Sequence, residues 1–488
     1  MLTIAEKKDL EQVIDLYHKV ADTMEAGGLD QWHWGIYPRA DILEEDVQLR
    51  RMWVEKENGR IVACVMIDTE IDEVYQDVNW LYGVRPGLFH RLAVLPGYQG
   101  QGLGNQVLDE VESILRARGC DSLRCDTNAS NARAIHVYEH RGMRRCGQIT
   151  WVGHAMVSDK RFFCFEKRLT RECPLLPQRM HPAFRDGKLT PWGGDRLKQI
   201  FGKPVRNDIT GESLEVSCIP GFESKDDMGR TLPELIRESG ASFAGRYAGQ
   251  PFPLLLKLID ARERLSVQVH PDDIYAAENE HGKLGKTEAW LILDAPENAE
   301  LVYGIRPGTT REELKAACEQ GEAVEPLLRR VNVKPGDVCF IPAGCVHAIG
   351  PGIMLYEIQQ SSDVTYRFYD WNRTDSQGNR RELHLQKALD TADLSIAPEP
   401  TESGKNWNGA ERILDETYFT LDLIQSNGET AIPPVHEFGL LTGLEGELRI
   451  EWRNGRLALK PGDSLYLPTA CPFMKLKGKG KAALAMPD

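Results

Sequence analysis

The sequence predicts a multidomain protein in which a mixed α/β region precedes an all-β region. The chain has 488 residues, whereas an ordinary single domain has about 100–200. Residues 1–168 alternate helix-like and strand-like patterns. The later residues form short apolar runs between Gly and Pro turns, which is typical of sheets. A content of 41% apolar and 27% charged residues fits globular domains.

Composition also excludes some classes of function. Fifty-nine Lys and Arg against 73 Asp and Glu give a net charge of −14, so binding to the nucleic-acid backbone is not expected. No apolar run approaches the ~20 residues of a membrane span, and the start of the sequence lacks the apolar segment of a secretory signal. The 11 cysteines are scattered without a Cys-x-x-Cys pair, which favours free thiols. We therefore expect a cytoplasmic protein with neither nucleic-acid nor membrane partners.

Residue patterns in the first 168 residues predict the main helices, strands and turns of this region. Apolar residues at helical spacing from Leu10 to Met24 predict an amphipathic helix. Asn58-Gly59, flanked by apolar residues, predicts a tight hairpin turn. A strand over 89–95 then leads through a glycine-rich loop into a helix over 103–115, and Gly119 is placed to cap that helix.

Two breaks in the pattern divide the chain. The segment from 170 to 190 contains Pro174, Pro177 and Pro182 and has little periodicity. The segment 397–409 has the composition of a linker. We therefore place domains at 1–168, 169–396 and 397–488.

An internal repeat links the second and third predicted domains. Val-Lys-Pro-Gly-Asp at 333–337 recurs as Leu-Lys-Pro-Gly-Asp at 459–463. When the two copies are aligned on these motifs, Phe473 occupies the position that corresponds to His347. Two copies of one β-unit are therefore expected, of which only the first keeps a histidine.

A glycine-rich loop marks the first candidate site. Residues 96–104, Pro-Gly-Tyr-Gln-Gly-Gln-Gly-Leu-Gly, follow the predicted strand and open directly into the predicted helix. Glycines let the backbone approach a ligand closely, and the unpaired N–H groups of a helix start favour an anion such as a diphosphate. The loop lacks the Lys-Ser/Thr of a P-loop and an acidic residue placed for a ribose. A simple tight turn is the alternative.

This region resembles the GNAT acetyltransferase superfamily. Gln99, Gly102 and Gly104 match its Gln/Arg-x-x-Gly-x-Gly/Ala signature, and HRLAVLP at 90–96 resembles its splayed central strand. A second matching segment contains Asn131, Ala134, Tyr138, Gly142 and Met143. The resemblance covers about 1–168 and implies an N-acetyltransferase that takes acetyl-CoA and an amine acceptor of unknown identity.

The same resemblance implies the residues of the acetyl-CoA site. These are Val94, Gln99, Gly100, Gln101, Gly102, Leu103, Gly104 and Asn131. Tyr138 would protonate the leaving thiolate, with a tyrosine packed on the sheet as the alternative. For the base on the acceptor side, Asp68, Glu70 and His90 remain open. The aromatic-rich segment 27–37 would form an acceptor wall or part of the core.

A second candidate site lies on strands of the all-β region. In Leu-Ser-Val-Gln-Val-His, period-two alternation places Ser266, Gln268 and His270 on one face of a strand. Glu288 and His347 occupy further strand positions that could point inward. Two imidazoles, a carboxylate and an amide suit a divalent cation. Nitrogen and oxygen ligands leave zinc, manganese, iron and cobalt open.

The spacing Gly-x₅-Pro-x-Gly-x₂-His at 336–347 resembles the second motif of the cupin superfamily. Surrounding stretches resemble type I mannose-6-phosphate isomerases of the short bacterial form. These stretches are 191–194, 211–213, 252–261, 265–273, 285–290 and 363–367. The resemblance spans about 173–488. It implies a cupin β-barrel (jelly roll) followed by a degenerate, metal-free cupin-like β-domain.

By this resemblance, one Zn²⁺ is bound, and the active site contains further charged residues. The implied zinc ligands are Gln268, His270, Glu288 and His347, and the implied active-site positions are Lys286, Asp363 and Arg367. Two departures stand out. Relatives have Ser-Asp-Asn where this chain has Ser-Asp-Val at 362–364, and the His-x-His of the first cupin motif becomes Gln-Val-His at 268–270.

The implied reaction interconverts mannose 6-phosphate and fructose 6-phosphate through an enediol(ate). A base must move the proton between C1 and C2, and both Lys286 and Asp363 remain open for this role. Arg367 would steady the oxyanion or hold the phosphate, with an ion pair to Asp363 as the alternative. Ser266 would contact the phosphate. The rival interpretation is a non-catalytic sugar-binding or oxygenase-type cupin fused to a degenerate CoA-binding domain.

Overall fold

The computed structural model describes residues 1–151, 159–170, 175–374, 378–403 and 408–488. These residues form two compact units. The first contains Met1–Gln178, Glu451–Ala458 and Ala470–Met474, and the second contains the remainder. The domain limits at 168/169 and 396/397 stay predictions. Pro174 and residues 404–407 of the predicted linker lie outside the described residues.

The first unit is a mixed α/β domain, as predicted. Its helices are α1 (Leu10–Ala26), α2 (Ala40–Gln48), α3 (Leu103–Ala117) and α4 (Ala132–His140). Its strands are β1 (Thr3–Ile4), β2 (Met52–Glu57), β3 (Arg60–Asp68), β4 (Pro86–Val94), β5 (Ser122–Asn128), β6 (Arg144–Thr150) and β7 (Arg161–Arg168). Short 3-10 helices cover Lys7–Asp9, Glu73–Tyr75 and Pro96–Tyr98.

Strand β4 lies at the centre of a seven-stranded sheet ordered β1-β2-β3-β4-β5-β7-β6. It runs antiparallel to β3 and parallel to β5. Its pairing with β5 extends only from Pro86 to Leu88, although β4 continues to Val94. The two parallel strands therefore diverge along the second half of β4, as the splayed-strand prediction requires.

Helices α1 and α3 pack on opposite faces of this sheet. Val111 of α3 shares a core with Val65 of β3, whereas Leu16 of α1 shares another core with the neighbouring Cys64. Both helices bury the apolar stripe that their 3.6-residue spacing predicts. The predicted hairpin is also present, because the turn between β2 and β3 occurs at Asn58-Gly59 with positive φ at both residues.

The second unit is rich in strands. Before the C-terminal region its strands are β8 (Gln178–Met180), β9 (Ala183–Asp186), β10 (Thr210–Val216), β11 (Leu254–Ala261), β12 (Val267–Val269), β13 (Glu288–Asp294), β14 (Glu300–Ile305), β15 (Leu328–Asn332), β16 (Asp337–Ile341), β17 (His347–Ala348), β18 (Ile353–Gln360), β19 (Tyr366–Tyr369) and β20 (Thr401–Glu402). The helices are α5 (Arg196–Phe201), α6 (Leu232–Ser239), α7 (Ala241–Ala244), α8 (Asp273–Asn279), α9 (Arg311–Glu319) and α10 (Leu385–Thr391), with 3-10 helices at Gly245–Tyr247 and Gly321–Leu327.

These strands form two sheets that share one hydrophobic core. Their orders are β20-β16-β13-β18-β11-β10-β9 and β15-β14-β17-β12-β19. Trp290 and Ile341 from the first sheet pack with Leu301 and Tyr303 from the second. The predicted cupin-type fold is thus built from two open sheets packed face to face.

The C-terminal strands form a further sheet. They are β21 (Gly409–Asp415), β22 (Phe419–Ala431), β23 (Gly439–Trp452), β24 (Gly455–Leu459), β25 (Ser464–Leu467) and β26 (Lys475–Pro487). The sheet order is β21-β22-β26-β23-β25-β8, and β24 pairs with β23. The hairpin between β23 and β24 turns at Asn454, where φ is positive.

Both copies of the internal repeat form the same turn before a strand. Asp337 accepts a hydrogen bond from the backbone N–H of Lys334 at 2.9 Å, and Asp463 accepts one from Lys460 at 3.1 Å. In each copy the intervening glycine has a positive φ. The sequence repeat is therefore a structural repeat.

The ten cysteines of the described ranges are all free, as predicted. Among the helices of those ranges, none combines the length and apolar character that crossing a bilayer demands.

Candidate metal centre and ligand cavity

Strands from both sheets bring the predicted metal ligands together. Gln268 of β12 pairs in register with His347 of β17 on one side and with Arg367 of β19 on the other. Glu288 begins β13 in the neighbouring sheet. The ligands therefore converge only because the two sheets pack on each other.

The alternation of β12 determines which side chains reach this centre. Val267 and Val269 lie fully buried in a hydrophobic core. Their neighbours Ser266, Gln268 and His270 lie on the opposite side of the strand, as the period-two pattern predicts. Ser266 Oγ donates to Gln268 Oε1 at 3.2 Å.

The donor atoms are close enough to share one ion. Those of His270, Glu288 and His347 all lie within 4.8 Å of one another, and all three residues are buried. Glu288 Oε1 lies 3.3 Å from His347 Nε2, and Glu288 Oε2 lies 3.6 Å from His270 Nε2. Ligands ~2.0–2.1 Å from a tetrahedral zinc are about 3.3 Å apart. Gln268 Nε2 is also 3.3 Å from His347 Nε2, and a half-turn of the amide brings its oxygen there.

Backbone carbonyls fix the orientation of both imidazoles. His270 Nδ1 donates to the carbonyl of Val364 at 2.9 Å, and His347 Nδ1 donates to that of Cys345 at 2.9 Å. Each ring therefore turns the lone pair of Nε2 towards the centre, as metal-binding histidines do. Burial lowers the pKa of His347 to about 4, and burial together with Lys286 lowers the pKa of His270. Both rings are neutral at neutral pH.

Glu288 carries a buried acceptor that a cation would satisfy. Its Oε1 accepts no hydrogen bond from the described residues and faces the lone pair of His347 Nε2. Two acceptors at this distance repel each other unless a positive charge lies between them. Burial, together with the nearby Glu357 carboxylate, raises the pKa of Glu288 to about 7. The donor set fits a divalent cation.

Lys286 lies inside this centre, whereas Asp363 lies at its outer side. The buried Lys286 ammonium is 2.9 Å from His270 Nε2 and also contacts Glu288 Oε2. The Asp363 side chain is 37% exposed and forms its ion pair with Lys283 at 2.8 Å. The ion pair of Asp363 therefore goes to Lys283, not to Arg367.

Arg367 lies beside Gln268 at the edge of the centre. It is half-buried, and its Nε has no hydrogen-bond partner among the described residues. Burial and the neighbouring Arg381 lower its pKa. A guanidinium short of partners is suited to an anionic ligand.

Sequence reasoning missed a buried charge network beside the metal centre. Lys257 Nζ lies 2.9 Å from Glu357 Oε1 and 3.8 Å from Glu212 Oε1. Trp290, whose ring contacts His347, donates to Glu357 Oε2 at 2.9 Å. A signal was available, because Lys257 and Glu357 each interrupt an otherwise apolar run.

In the first unit a cavity of about 480 Å³ opens beside the start of α3. Seven of the nine residues predicted to bind acetyl-CoA or protonate its thiolate line this cavity: Val94, Gln99, Gly100, Gly102, Gly104, Asn131 and Tyr138. Gly100 and Gly102 have φ of 79° and 86°, a conformation that glycine adopts without strain. Gln101 and Leu103 are not among its lining residues, and the Gln101 side chain donates to the Gly97 carbonyl at 2.9 Å.

Tyr138 both packs on the sheet and borders the cavity. Its ring packs edge-on against Phe89 and Phe165, and it also lines the cavity. Burial raises the pKa of Tyr138 well above its usual value, so the hydroxyl stays protonated. Asn131 caps α4 and donates to the Gln31 side chain at 2.7 Å.

A second cavity of about 390 Å³ lies along the other half of β4. Asp68, Glu70 and His90 all line it, together with Trp32 and Tyr37 of the aromatic-rich segment. All three base candidates therefore lie at one site.

Profiles of known protein families match three stretches of the chain. The profile of the GNAT acetyltransferase family matches residues 14–143. The profile of the type I phosphomannose isomerase catalytic domain matches residues 219–299, and that of the mannose-6-phosphate isomerase cupin domain matches residues 411–487.

Individual relatives agree with these profiles. Mannose-6-phosphate isomerase ManA of Bacillus subtilis (strain 168) is 40% identical over 296 residues, which cover 59% of this chain and 92% of ManA. The crystal structure of the mannose 6-phosphate isomerase from Bacillus subtilis is similar with a TM-score of 0.59 at 36% identity, over 64% of this chain and 99% of that one. A mannose 6-phosphate isomerase bound with zinc and yttrium shares the fold, with a TM-score of 0.50 at 18% identity. The match covers 64% of this chain and 99% of that one.

The fold and the two sites define an enzyme that joins a GNAT acetyltransferase domain to a cupin-type isomerase with a buried histidine–glutamate centre. The chain belongs to the mannose-6-phosphate isomerase family. Both resemblances inferred from the motifs are confirmed, and so is the fold class.

Proposed function

We propose that the second unit binds one Zn²⁺ through Gln268, His270, Glu288 and His347 and interconverts mannose 6-phosphate and fructose 6-phosphate. The observation that carries this proposal is the buried contact between Glu288 Oε1 and the Nε2 lone pair of His347. The names of the relatives supply the substrate. A bound zinc would supply a Lewis acid for the carbonyl and hydroxyl oxygens of the sugar.

The residues of the chain then handle the proton and the substrate charge. Isomerisation removes a proton from one of C1 and C2 and returns it to the other through an enediol(ate). Lys286 is the first candidate for this transfer because its Nζ lies among the ligand side chains, and Asp363 is the second. Arg367 either steadies the oxyanion or holds the phosphate, and Ser266 would contact the phosphate.

We further propose that the first unit transfers an acetyl group from acetyl-CoA to an amine. The backbone N–H groups of residues 99–104 would bind the diphosphate at the start of α3. Tyr138 would protonate the thiolate. The domains would be 1–168, 169–396 and 397–488, the last without metal. The free cysteines support a cytoplasmic location.

The decisive experiment on the metal centre compares Glu288→Gln with the exposed control Glu447→Gln. The parent and the control should hold about one zinc per chain and convert fructose 6-phosphate in a coupled assay. Glu288→Gln should lose zinc and more than about 100-fold in turnover. Undiminished turnover would exclude the metal assignment, and no turnover by the zinc-loaded parent would favour the sugar-binding or oxygenase alternative.

The acetyltransferase proposal is tested by calorimetry of the full chain with acetyl-CoA. Heat of binding with 1:1 stoichiometry is expected. No heat would mean that the glycine loop is only a turn, and the acetyltransferase proposal would then be abandoned without affecting the isomerase.

A further inference from the structure

The 390 Å³ cavity of the first unit and the proposed acetyl-CoA cavity are both lined by residues of β4. Leu92, Ala93 and Val94 line the acetyl-CoA side, whereas Leu88 and His90 line the other side. Beyond Leu88, β4 no longer pairs with β5. Ligands in the two cavities would therefore meet at the gap between the diverging strands.

The charges of this second cavity are unbalanced. Its described lining contains five carboxylates, Asp46, Asp68, Glu70, Asp72 and Asp126, and two guanidiniums, Arg51 and Arg91. Both arginines are already neutralised, because Arg91 pairs with Asp46 and Arg51 lies 3.2 Å from Asp68 and 3.2 Å from Asp46. Glu70 and Asp72 are exposed at the rim without a basic partner among the described residues. The cavity therefore favours a cation.

A histidine and an aspartate lie across the strand gap of this cavity. His90 of β4 places Nδ1 3.1 Å from Oδ1 of Asp126 in β5, and Tyr75 donates to the same oxygen at 2.6 Å. The Tyr75 ring stacks on His90 with centroids 5.9 Å apart. Burial would raise the pKa of Asp126, but hydrogen bonds from His90, Tyr75 and Trp151 outweigh it and hold the pKa below its usual value. The ionised Asp126 holds the proton on Nδ1 and leaves Nε2 as the acceptor.

We propose that this cavity is the acceptor site, that His90 is the base, and that the acceptor is a cationic amine without a carboxylate or phosphate group. Asp126 is a positioning residue that fixes the tautomer of His90. Asp68 and Glu70 are less suited to be the base, because Asp68 is paired with Arg51 and Glu70 lies at the exposed rim. This inference rests on the proposed acetyltransferase function.

The reaction balances with acetyl-CoA and the amine alone. The ammonium group gives one proton to His90 Nε2, and the free amine attacks the acetyl carbonyl carbon. The new C–N bond forms, the C–S bond breaks, and the thiolate takes a proton from Tyr138. Tyr138 recovers the second proton of the amine nitrogen, and His90 releases the first to solvent.

The first experiment measures acceptor preference through release of free CoA thiol by the full chain. Two matched pairs are compared: tyramine with tyrosine, and glucosamine with glucosamine 6-phosphate. The member without the anionic group should have a kcat/KM at least about tenfold higher. The double variant Glu70→Gln/Asp72→Asn should narrow that ratio. A preference for the anionic members, or acetylation of none of the four, would overturn the proposed acceptor class.

The second experiment compares His90→Gln and Asp126→Asn with the exposed control His140→Gln. His90→Gln should lower kcat about 10²- to 10³-fold, while the KM for the amine and the calorimetric affinity for acetyl-CoA stay within about twofold. Asp126→Asn should lower kcat about 10- to 100-fold with the same unchanged KM. His140→Gln should behave as the parent.

The outcomes separate this inference from the acetyltransferase proposal. Acetyl-CoA binding with full activity of His90→Gln would exclude His90 as the base. Loss of kcat in a single Glu70→Gln variant, with His90→Gln active, would assign the role to Glu70. If the parent bound no acetyl-CoA, the acetyltransferase function itself would fail, and the inference with it.

Discussion

At the scale of single residues, several charged side chains of this protein are buried in ion pairs. Lys257 and Glu357 show this most clearly, since they lie opposite each other in the register of β11 and β18. Burial works against the ammonium, yet the Glu212 and Glu357 carboxylates raise the pKa of Lys257 above its usual value. Burial likewise works against the Glu357 carboxylate, yet Lys257 holds its pKa below normal.

Replacing Lys257 by Met should destabilise the second unit strongly. The change leaves the Glu357 carboxylate buried without its cation, which costs about 3–5 kcal/mol. Urea unfolding of the full chain monitors the loss. The double variant Lys257→Met/Glu357→Gln should recover part of it, and equal stability of the single variant and the parent would contradict this account.

The same pair predicts how stability depends on pH. The lowered pKa of Glu357 contributes stability that is present above its unfolded value of 4.5 and is lost as the pH falls through its folded value. The raised pKa of Lys257 contributes stability that is lost only as the pH rises above 10.5. As the pH falls from about 5 towards 3, the parent should therefore lose more stability than the double variant, as urea midpoints measured across that range would reveal.

Tyr138 provides a second prediction at this scale. Tyr138→Phe keeps the ring against Phe89 and Phe165 but removes the hydroxyl. Acetyl transfer should slow about 10²-fold, while the melting temperature and acetyl-CoA binding stay unchanged. Thiol-release kinetics and calorimetry test this, and undiminished kcat would reduce Tyr138 to a packing residue.

At the scale of elements, two glycines at the start of α3 have different structural roles. Gly102 is the N-cap of α3 with a positive φ, whereas Gly104 is helical and a Cβ there would meet only Val94, at 3.9 Å. Gly102 is needed because the backbone there adopts a left-handed conformation. The second leaves open space towards the cavity.

These two glycines should therefore respond differently to alanine. Gly102→Ala should destabilise the first unit by about 1–3 kcal/mol, because alanine is strained at this φ. Gly104→Ala should leave the melting temperature unchanged but weaken acetyl-CoA binding, because its methyl group enters the cavity. Scanning calorimetry and titration with acetyl-CoA distinguish the two, and unchanged affinity in Gly104→Ala would argue against this cavity as the cofactor site.

At the scale of the whole molecule, each unit has hydrophobic cores of its own. The cores around Val111 and Leu16 belong to the first unit, and those around Val267 and Trp290 belong to the second. The burial of apolar side chains therefore stabilises each unit separately. Each also carries its own proposed ligand.

Ligands should therefore shift different parts of the thermal transition of the full chain. Acetyl-CoA at 100 times its Kd stabilises the unit that binds it by about 2.7 kcal/mol. Removal of zinc by a chelator should lower the transition of the other unit. Scanning calorimetry tests both shifts, and a single transition moved equally by both treatments would contradict this view.

Much of the architecture could be predicted because it depends on the spacing of residues that are close together in the sequence. The spacing from Leu10 to Met24, the Asn58-Gly59 turn and the alternation around Gln268 each depend on a few neighbouring residues. The candidate metal ligands are also predicted from the sequence, although mainly through resemblance to a family. The missed features, such as the Lys257–Glu357 pair and the His90–Asp126 contact, join residues on different strands.

By itself the sequence determined the order of elements, the glycine loop and which side chains could bind a cation or an anion, because these follow from short-range spacing and residue chemistry. Only the tertiary structure decided which of those side chains meet. Lys257 and Glu357 are 100 residues apart in the chain, and their contact depends on strand register. Likewise, Asp363 pairs with Lys283 and His90 with Asp126 because the tertiary fold brings distant segments together, which no local pattern encodes.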